Sequence, residues 1–149
     1  MMDELSVTTS DDGVATVCIN RPSKRNAVSL AMWQELGDTF ESLAHDDGAR
    51  VVILTGAGGH FCAGADISEF SEVRADAASG QHYDEVGDRC SKNLMELPKP
   101  TIAAVSGYCV GGGCGLALCC DFRVADGSAR FGIPAARLGV MYGDRKSVV

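Results

Sequence analysis

The chain begins with two short segments in which apolar and polar residues alternate. Residues 5–9 and 14–19 show the period of half-buried strands, and Asp-Asp-Gly at 11–13 supplies turn residues between them. This pattern predicts a β-hairpin.

A helical pattern follows the hairpin. Ser29 is predicted to cap a helix that stops near Gly48. The apolar residues of this helix recur every three or four positions: Trp33, Leu36, Phe40 and Leu43. The intervening polar residues should face outward: Gln34, Glu35, Asp38 and Glu41.

Two later apolar runs are typical of buried strands. Residues 51–54 and 101–105 are rich in β-branched side chains, and the first of these strands is predicted to be covered on both faces. Apolar residues at helical spacing occupy 86–97 between them, until Pro98 and Pro100 prevent continuation. The order of strand, glycine-rich loop and helix occurs twice, which predicts an α/β fold with both loops at equivalent strand ends. Ligands of such folds bind at those ends.

Composition narrows the class of protein. The 149 residues are 46% apolar and 22% charged, which indicates one globular domain or a part of one. The net charge of -7 argues against nucleic acid and anionic lipid as partners. No signal peptide or membrane span is recognisable, and the seven cysteines include no C-x-x-C pair, so we expect small core residues in a reducing cytoplasm and no metal site.

The two glycine-rich loops, at 56–66 and 107–115, carry the candidate chemistry. A P-loop is excluded because Ala65-Asp66 occupies the place of Lys-Ser/Thr, and a dinucleotide fingerprint is excluded because Leu116 replaces its third glycine. Two interpretations of these loops remain. The glycines allow close packing of the chain, or they let backbone N–H groups approach a ligand. A helix that starts near Gly112 would present unpaired N–H groups to an anion.

These segments together resemble the enoyl-CoA hydratase/isomerase (crotonase) superfamily. The resemblance covers roughly residues 5–143 and rests on the order of several motifs: Asn-Arg-Pro at 20–22, Asn-Ala at 26–27, residues 52–56, residues 61–66, residues 99–107, Gly-Gly-Gly at 111–113, Cys-Asp at 120–121 and Phe-Gly at 131–132. It implies a spiral of ββα units that binds an acyl-CoA thioester. The C-terminal helical region of the family is expected to be absent from this chain.

The resemblance also implies which residues bind the ligand. The N–H groups of Ala65 and Gly112 would hold the thioester oxygen, where an enolate develops. The main chain around 63–67, including Ala63, Asp66 and Ile67, would receive the adenine of CoA. Lys24 and Arg25 would approach the CoA phosphates, or else be ordinary solvated surface charges. No separate cofactor is expected, because coenzyme A is part of the substrate.

Two positions depart from the family pattern. Family hydratases use two glutamates as general base and general acid, and Gly115 and Ala135 stand there. Neither residue can carry a proton, so hydration is doubtful. Isomerisation or decarboxylation of a malonyl-type thioester needs mainly enolate stabilisation and stays open, as does a non-catalytic acyl-CoA-binding subunit.

Substitutes for the two glutamates are few. His60 and Cys62 lie in the first loop, and Cys114 lies beside the expected oxyanion site. The alternative interpretation of each is structural: a solvated side chain for the histidine and a packing residue for the cysteines. Two tyrosines could donate a hydrogen bond: Tyr108 and Tyr142. Among the aspartates, Asp66 is expected to cap the following helix, whereas Asp121 and Asp126 are expected to end a strand at 122–125.

The end of the chain is a second departure. Residues 1–143 are expected to form an incomplete acyl-CoA-binding core. Residues 144–149 have no family counterpart and match one reading frame of a common sequencing adapter, which predicts an artefact rather than a natural tail. The whole protein is expected to be a homotrimer or a dimer of trimers. A redox sensor that uses the seven thiols is a third possibility, based only on their number.

Overall fold

A computed structural model describes residues 3–139 of the chain. Five strands form one sheet in the order β1-β2-β3-β4-β6, and two short strands form a second sheet. The strands are β1 Leu5–Thr9, β2 Val14–Ile19, β3 Val51–Gly56, β4 Thr101–Val105, β5 Tyr108–Val110, β6 Phe122–Ala125 and β7 Arg130–Gly132. The helices are α1 Leu30–His45, α2 Phe70–Val73, α3 Ala77–Met95, α4 Gly112–Cys119 and α5 Ala135–Leu138, with short 3-10 turns at Pro22–Lys24 and Ile67–Glu69.

The predicted hairpin and the alternation of strands and helices are confirmed. β1 pairs with β2 in antiparallel register, with Leu5 opposite Ile19. The remaining pairs of the large sheet are parallel, and β3 lies between β2 and β4. Because β3 and β4 are parallel neighbours, the loops that follow them leave the sheet at the same edge.

The first long helix has the predicted cap and apolar face. The Ser29 hydroxyl accepts the Met32 N–H, which satisfies one of the unpaired donors at the helix start. Trp33, Leu36, Phe40 and Leu43 are all buried. The helix ends at His45, before the expected stop at Gly48, and the Gly48 N–H instead donates to the Asp46 carboxylate at 2.8 Å.

The prediction that residues 51–54 are buried on both faces is wrong. Val52 and Leu54 are buried in the core shared with α1 and α3, whereas Val51 and Ile53 on the other face are only half-buried. A run of β-branched residues therefore predicts a central strand, but it does not show how much of the second face of that strand is covered.

The remaining helices add detail to the predicted pattern. α3 begins earlier than expected, because Asp76 and Ser79 form a capping box. Its residues Val86, Cys90 and Leu94 face the core as predicted. Four of the seven cysteines are buried, in agreement with a packing role for most of them: Cys62, Cys90, Cys109 and Cys120. Among residues 3–139, no helix is long and apolar enough to cross a bilayer.

Candidate functional site

The two glycine-rich loops pack directly against each other. The Cys62 N–H donates to the Tyr108 carbonyl at 2.9 Å, and the Val110 N–H donates back to the Cys62 carbonyl at 3.0 Å. The Phe61 N–H adds a third bond, to the Ser106 carbonyl at 2.8 Å. This short ladder joins the first loop to β5 through a parallel bridge between Cys62 and Cys109, and it holds the loops in a defined register.

Glycine is required where the loops approach most closely. Gly64 has a φ of 99°, and a Cβ there would lie 2.8 Å from the Val110 carbonyl oxygen and 3.3 Å from the Gly112 nitrogen. A Cβ on Gly113 would lie 2.3 Å from the Cys62 carbonyl oxygen. The glycines thus bring the backbone of the first loop against the start of α4.

Two backbone N–H groups at this contact have no acceptor within the described residues. The first belongs to Ala65, whose neighbours are tied to Val28 by the Val28 N–H to Gly64 carbonyl bond and the Asp66 N–H to Val28 carbonyl bond. The second belongs to Gly112, the first residue of α4, which has no side-chain cap. The Ala65 nitrogen lies 3.7 Å from the Cβ position of Gly112, so the two donors are close together.

Asp66 is the electrostatic centre of the first loop. Its carboxylate accepts hydrogen bonds from Arg21 and Lys24, each at 2.8 Å, and from the Ser68 N–H at 3.1 Å. Burial opposes ionisation, but the bonds from Lys24, Ser68 and Arg21 outweigh it and hold the pKa of Asp66 well below its usual range. The predicted cap is confirmed, and the two ion pairs are an addition that spacing did not reveal.

The predicted CoA-contacting residues surround this loop. Lys24 is ion-paired to Asp66 and half of its side chain stays exposed, while the Arg25 guanidinium lies 5.1 Å from the centre of the Tyr108 ring. The Ala63 N–H donates to the Arg25 carbonyl at 3.0 Å, and Ile67 is exposed. Both cations therefore lie beside the loops.

Sequence reasoning assigned no role to Asn26, which joins the Arg-Pro turn to the first loop. This fully buried residue has a φ of 60°, a conformation that Asn tolerates better than most residues. Its side-chain oxygen accepts the Arg21 N–H at 2.8 Å, and its amide nitrogen donates to the carbonyls of Ala57 and His60 at 2.8 and 2.6 Å. The sequence feature that could have indicated this role is the polar residue itself, which lies between the Arg-Pro turn and the apolar start of α1.

The two candidates for proton transfer in the first loop, His60 and Cys62, are both held in contacts that suit a structural role. The His60 ring stacks on Tyr108, with 4.9 Å between centroids, and its Nδ1 accepts the Tyr108 N–H at 3.1 Å. Burial raises the pKa of Cys62 to about 12, so its thiol stays protonated. Tyr142 lies outside the described residues.

Cys114 differs from the other thiols. It is half-buried, and a hydrogen bond from the Cys109 thiol lowers the pKa of Cys114 while the same contact and burial raise the pKa of Cys109.

The aspartates around β6 are structural, as predicted. The Asp121 carboxylate accepts the N–H and hydroxyl of Thr101 at 2.9 and 3.1 Å, which links the starts of β4 and β6. The Asp126 carboxylate accepts the Ser128 N–H at 2.8 Å and closes the turn after β6.

The two positions at which the family resemblance leads us to expect glutamates lie on helices next to the loops. Gly115 is buried within α4, one turn after the Gly112 N–H, and Ala135 is the half-buried first residue of α5. Neither position offers an ionisable group. Among residues 3–139, no group of three His, Cys, Asp or Glu side chains could hold a metal ion.

Comparison with known proteins gives consistent matches. The sequence model of a family described as Enoyl-CoA hydratase/isomerase matches residues 9–146. A short-chain-enoyl-CoA hydratase of Clostridium acetobutylicum is 42% identical over 131 residues, which are 87% of this chain and 49% of that protein. A 2,3-dehydroadipyl-CoA hydratase of Escherichia coli is 39% identical over 142 residues, which are 95% of this chain and 54% of that protein.

A solved structure agrees with these sequence matches. The crystal structure of an enoyl-CoA hydratase/carnithine racemase from Magnetospirillum magneticum superposes with a TM-score of 0.92 at 40% identity, covering 98% of this chain and 55% of that one. The chain thus spans about half the length of the relatives that it matches.

Proposed function

Since the chain belongs to the enoyl-CoA hydratase/isomerase family, whose crotonase fold it shares over its described part, we propose that the whole protein binds an acyl-CoA thioester and stabilises its enolate. The observation that supports this most directly is the pair of N–H groups of Ala65 and Gly112, adjacent and without acceptors among the described residues. Two fixed donors facing one oxygen stabilise negative charge as it develops, and each is typically worth a factor of ~10²–10³ in rate.

The CoA part of the ligand would lie along the first loop. In this proposal the main chain of Ala63, Asp66 and Ile67 receives the adenine, and Lys24 and Arg25 approach the phosphates. The exposure of the Lys24 side chain supports this, because its ammonium group can contact a phosphate while it stays close to Asp66. Coenzyme A enters as part of the substrate, so the reaction needs no separate cofactor.

The reaction class follows from the two absent carboxylates. Hydration takes a proton from water and delivers one to the α-carbon, and Gly115 and Ala135 offer no group for either transfer. Decarboxylation of a malonyl-type thioester breaks a carbon–carbon bond, leaves the electron pair in the enolate and takes a later proton from solvent. Isomerisation also passes through an enolate, but a group beyond position 139 would have to take the proton from the α-carbon and return it at the γ-carbon. We infer that decarboxylation exceeds hydration unless a residue beyond position 139 substitutes, and that isomerisation exceeds it where such a residue carries this single proton.

The alternative is a non-catalytic acyl-CoA-binding subunit, and the same two positions favour it. Calorimetric titration of the whole natural protein that contains this sequence, with acyl-CoA esters, tests the binding that both readings share. Absence of heat at millimolar ligand contradicts both. Turnover of a panel of enoyl-, 3-hydroxyacyl- and malonyl-type CoA esters then separates the enzyme from the binding subunit.

The assembly and location are also proposals. Four large apolar side chains are exposed around β6 and β7, which supports burial of this region in the whole protein: Phe122, Val124, Phe131 and Ile133. We infer a homotrimer or a dimer of trimers in the cytoplasm. Light scattering of the purified protein measures the assembly, and a monomeric mass contradicts it.

A further inference from the structure

Three buried polar atoms lack a hydrogen-bond partner within the described residues, and all three belong to one cluster. They are Nε1 of Trp33, Nε of Arg74 and the hydroxyl of Tyr83. Trp33 comes from α1, Tyr83 from α3 and Arg74 from the residue that follows α2. The Arg74 guanidinium lies 4.6 Å from the centre of the Tyr83 ring. Buried polar atoms without partners are rare, so three together require a physical reason.

The cluster has a surplus of donors. An indole N–H and a guanidinium N–H can only donate, whereas a phenol accepts one bond and donates another. Even if the Tyr83 hydroxyl accepts the Trp33 N–H that faces it, the hydrogen of the hydroxyl and the Arg74 Nε–H still need an acceptor. Burial raises the pKa of Tyr83 to about 12, so the hydroxyl stays protonated at neutral pH.

The nearby carboxylates are engaged elsewhere. Asp84 binds the Nη2 end of Arg74 at 2.5 Å, and a Glu69 carboxylate oxygen accepts the Leu30 N–H at 2.6 Å. Neither carboxylate forms a hydrogen bond with the Arg74 Nε or the Tyr83 hydroxyl.

The cluster borders the proposed oxyanion site. The Cζ2 and Cη2 atoms of Trp33 lie 2.9 and 3.2 Å from the Cβ position of Gly112, and the indole N–H is two bonds from Cζ2. Phe70 meets the Tyr83 ring edge-on, with 5.7 Å between the ring centroids. An acyl group whose thioester oxygen is held at Gly112 therefore begins beside the Trp33 indole, next to this cluster.

We propose that Trp33, Tyr83 and Arg74 form a recognition site for an oxygen acceptor carried by the acyl group, such as a hydroxyl, a carbonyl or a carboxylate. This inference rests on the proposed function and narrows its substrate class to oxygen-bearing acyl-CoA thioesters. Such an acceptor would satisfy donors that stay unpaired beside a plain hydrocarbon chain. The site must open to admit it, and the partly exposed Arg74 side chain, next to a helix of only four residues, is placed to move.

The test compares four-carbon ligands that differ only at the end of the chain. Butyryl-CoA ends in a methyl group, 4-hydroxybutyryl-CoA in a hydroxyl and succinyl-CoA in a carboxylate. Calorimetry on the whole natural protein should show that one or both oxygen-bearing esters bind about tenfold more tightly than butyryl-CoA, the factor expected for one buried hydrogen bond. The two oxygen-bearing esters distinguish a neutral acceptor from a charged one.

The matched variants are Tyr83→Phe and Tyr108→Phe, which each remove one hydroxyl. Tyr83→Phe should abolish the preference for the oxygen-bearing esters, while Tyr108→Phe should keep it. Trp33→Phe is a second variant that should weaken the preference. Equal affinity for all three esters, or loss of the preference in Tyr108→Phe alone, overturns this inference. Failure to bind even butyryl-CoA contradicts the proposed function instead.

Discussion

Replacing Gly112 by proline is the sharpest perturbation of the proposed oxyanion site. Proline has no N–H, and Gly112 is the first residue of α4, a helix position that tolerates proline because its N–H has no helical acceptor. The substitution therefore removes one proposed donor without breaking a helical hydrogen bond. We expect kcat to fall by ~10²–10³, the typical loss for one oxyanion donor.

Gly112→Ala is the matched control, since alanine keeps the N–H. Its Cβ would lie 2.9 and 3.2 Å from two atoms of the Trp33 indole, so the ring must shift by a few tenths of an ångström. Overpacking of this kind costs about 1–3 kcal/mol of stability. The proline variant adds the same Cβ together with two ring carbons, so alanine controls for the Cβ contact with Trp33, and the difference in kcat between the variants reports the lost N–H together with the ring.

The assay measures kcat with the ester that the substrate panel identifies, and Kd by calorimetry. Ground-state binding should change much less than kcat in the proline variant, because the donor acts mainly on charge that develops during the reaction. Circular dichroism verifies that both variants are folded. A proline variant with the kcat of the wild type, or an alanine variant that loses as much as the proline variant, refutes the role of the Gly112 N–H.

Three further outcomes follow from the site. Asp66→Asn should destabilise the protein by about 2–4 kcal/mol at pH 7, against at most ~0.5 kcal/mol for the exposed control Asp38→Asn, as measured by urea unfolding. Because folding depresses the pKa of Asp66, the difference from wild type should shrink as the pH falls below ~4, and a constant difference contradicts the ion pairs. Asn26→Asp replaces an amide donor by a carboxylate that faces two carbonyls, and should lower the melting temperature by several degrees. The double variant Gly115→Glu, Ala135→Glu should gain hydration of crotonyl-CoA, and a wild type that already reaches kcat/KM of ~10⁶ M⁻¹s⁻¹ contradicts our interpretation of these positions.

Much of the fold was predictable because its signals are local. The periodicity of α1, the Ser29 cap and the strand at Thr101–Val105 depend on residues close together in sequence, and the structure confirms each. The order of the two glycine-rich loops, each after a buried strand, was enough to place both at one edge of a parallel sheet. Ala65 and Gly112 became candidates through the family resemblance, and backbone geometry placed their N–H groups together.

The ion pairs and the donor cluster required the tertiary structure. Asp66 was recognisable as a cap from its neighbour Ser68, but its bonds to Arg21 and Lys24 cross more than forty positions of sequence. Trp33 matched the periodicity of a core residue, whereas Tyr83 lies before the predicted apolar pattern at 86–97, and only the packing of α1 against α3 showed that their polar atoms lack partners among the described residues. Hydrophobic patterning predicts which face of an element is buried, because the polarity of each side chain decides whether its burial is favourable. Whether a buried polar atom finds a hydrogen-bond partner depends on the donors and acceptors of the elements packed against it. That packing is decided only by the tertiary structure.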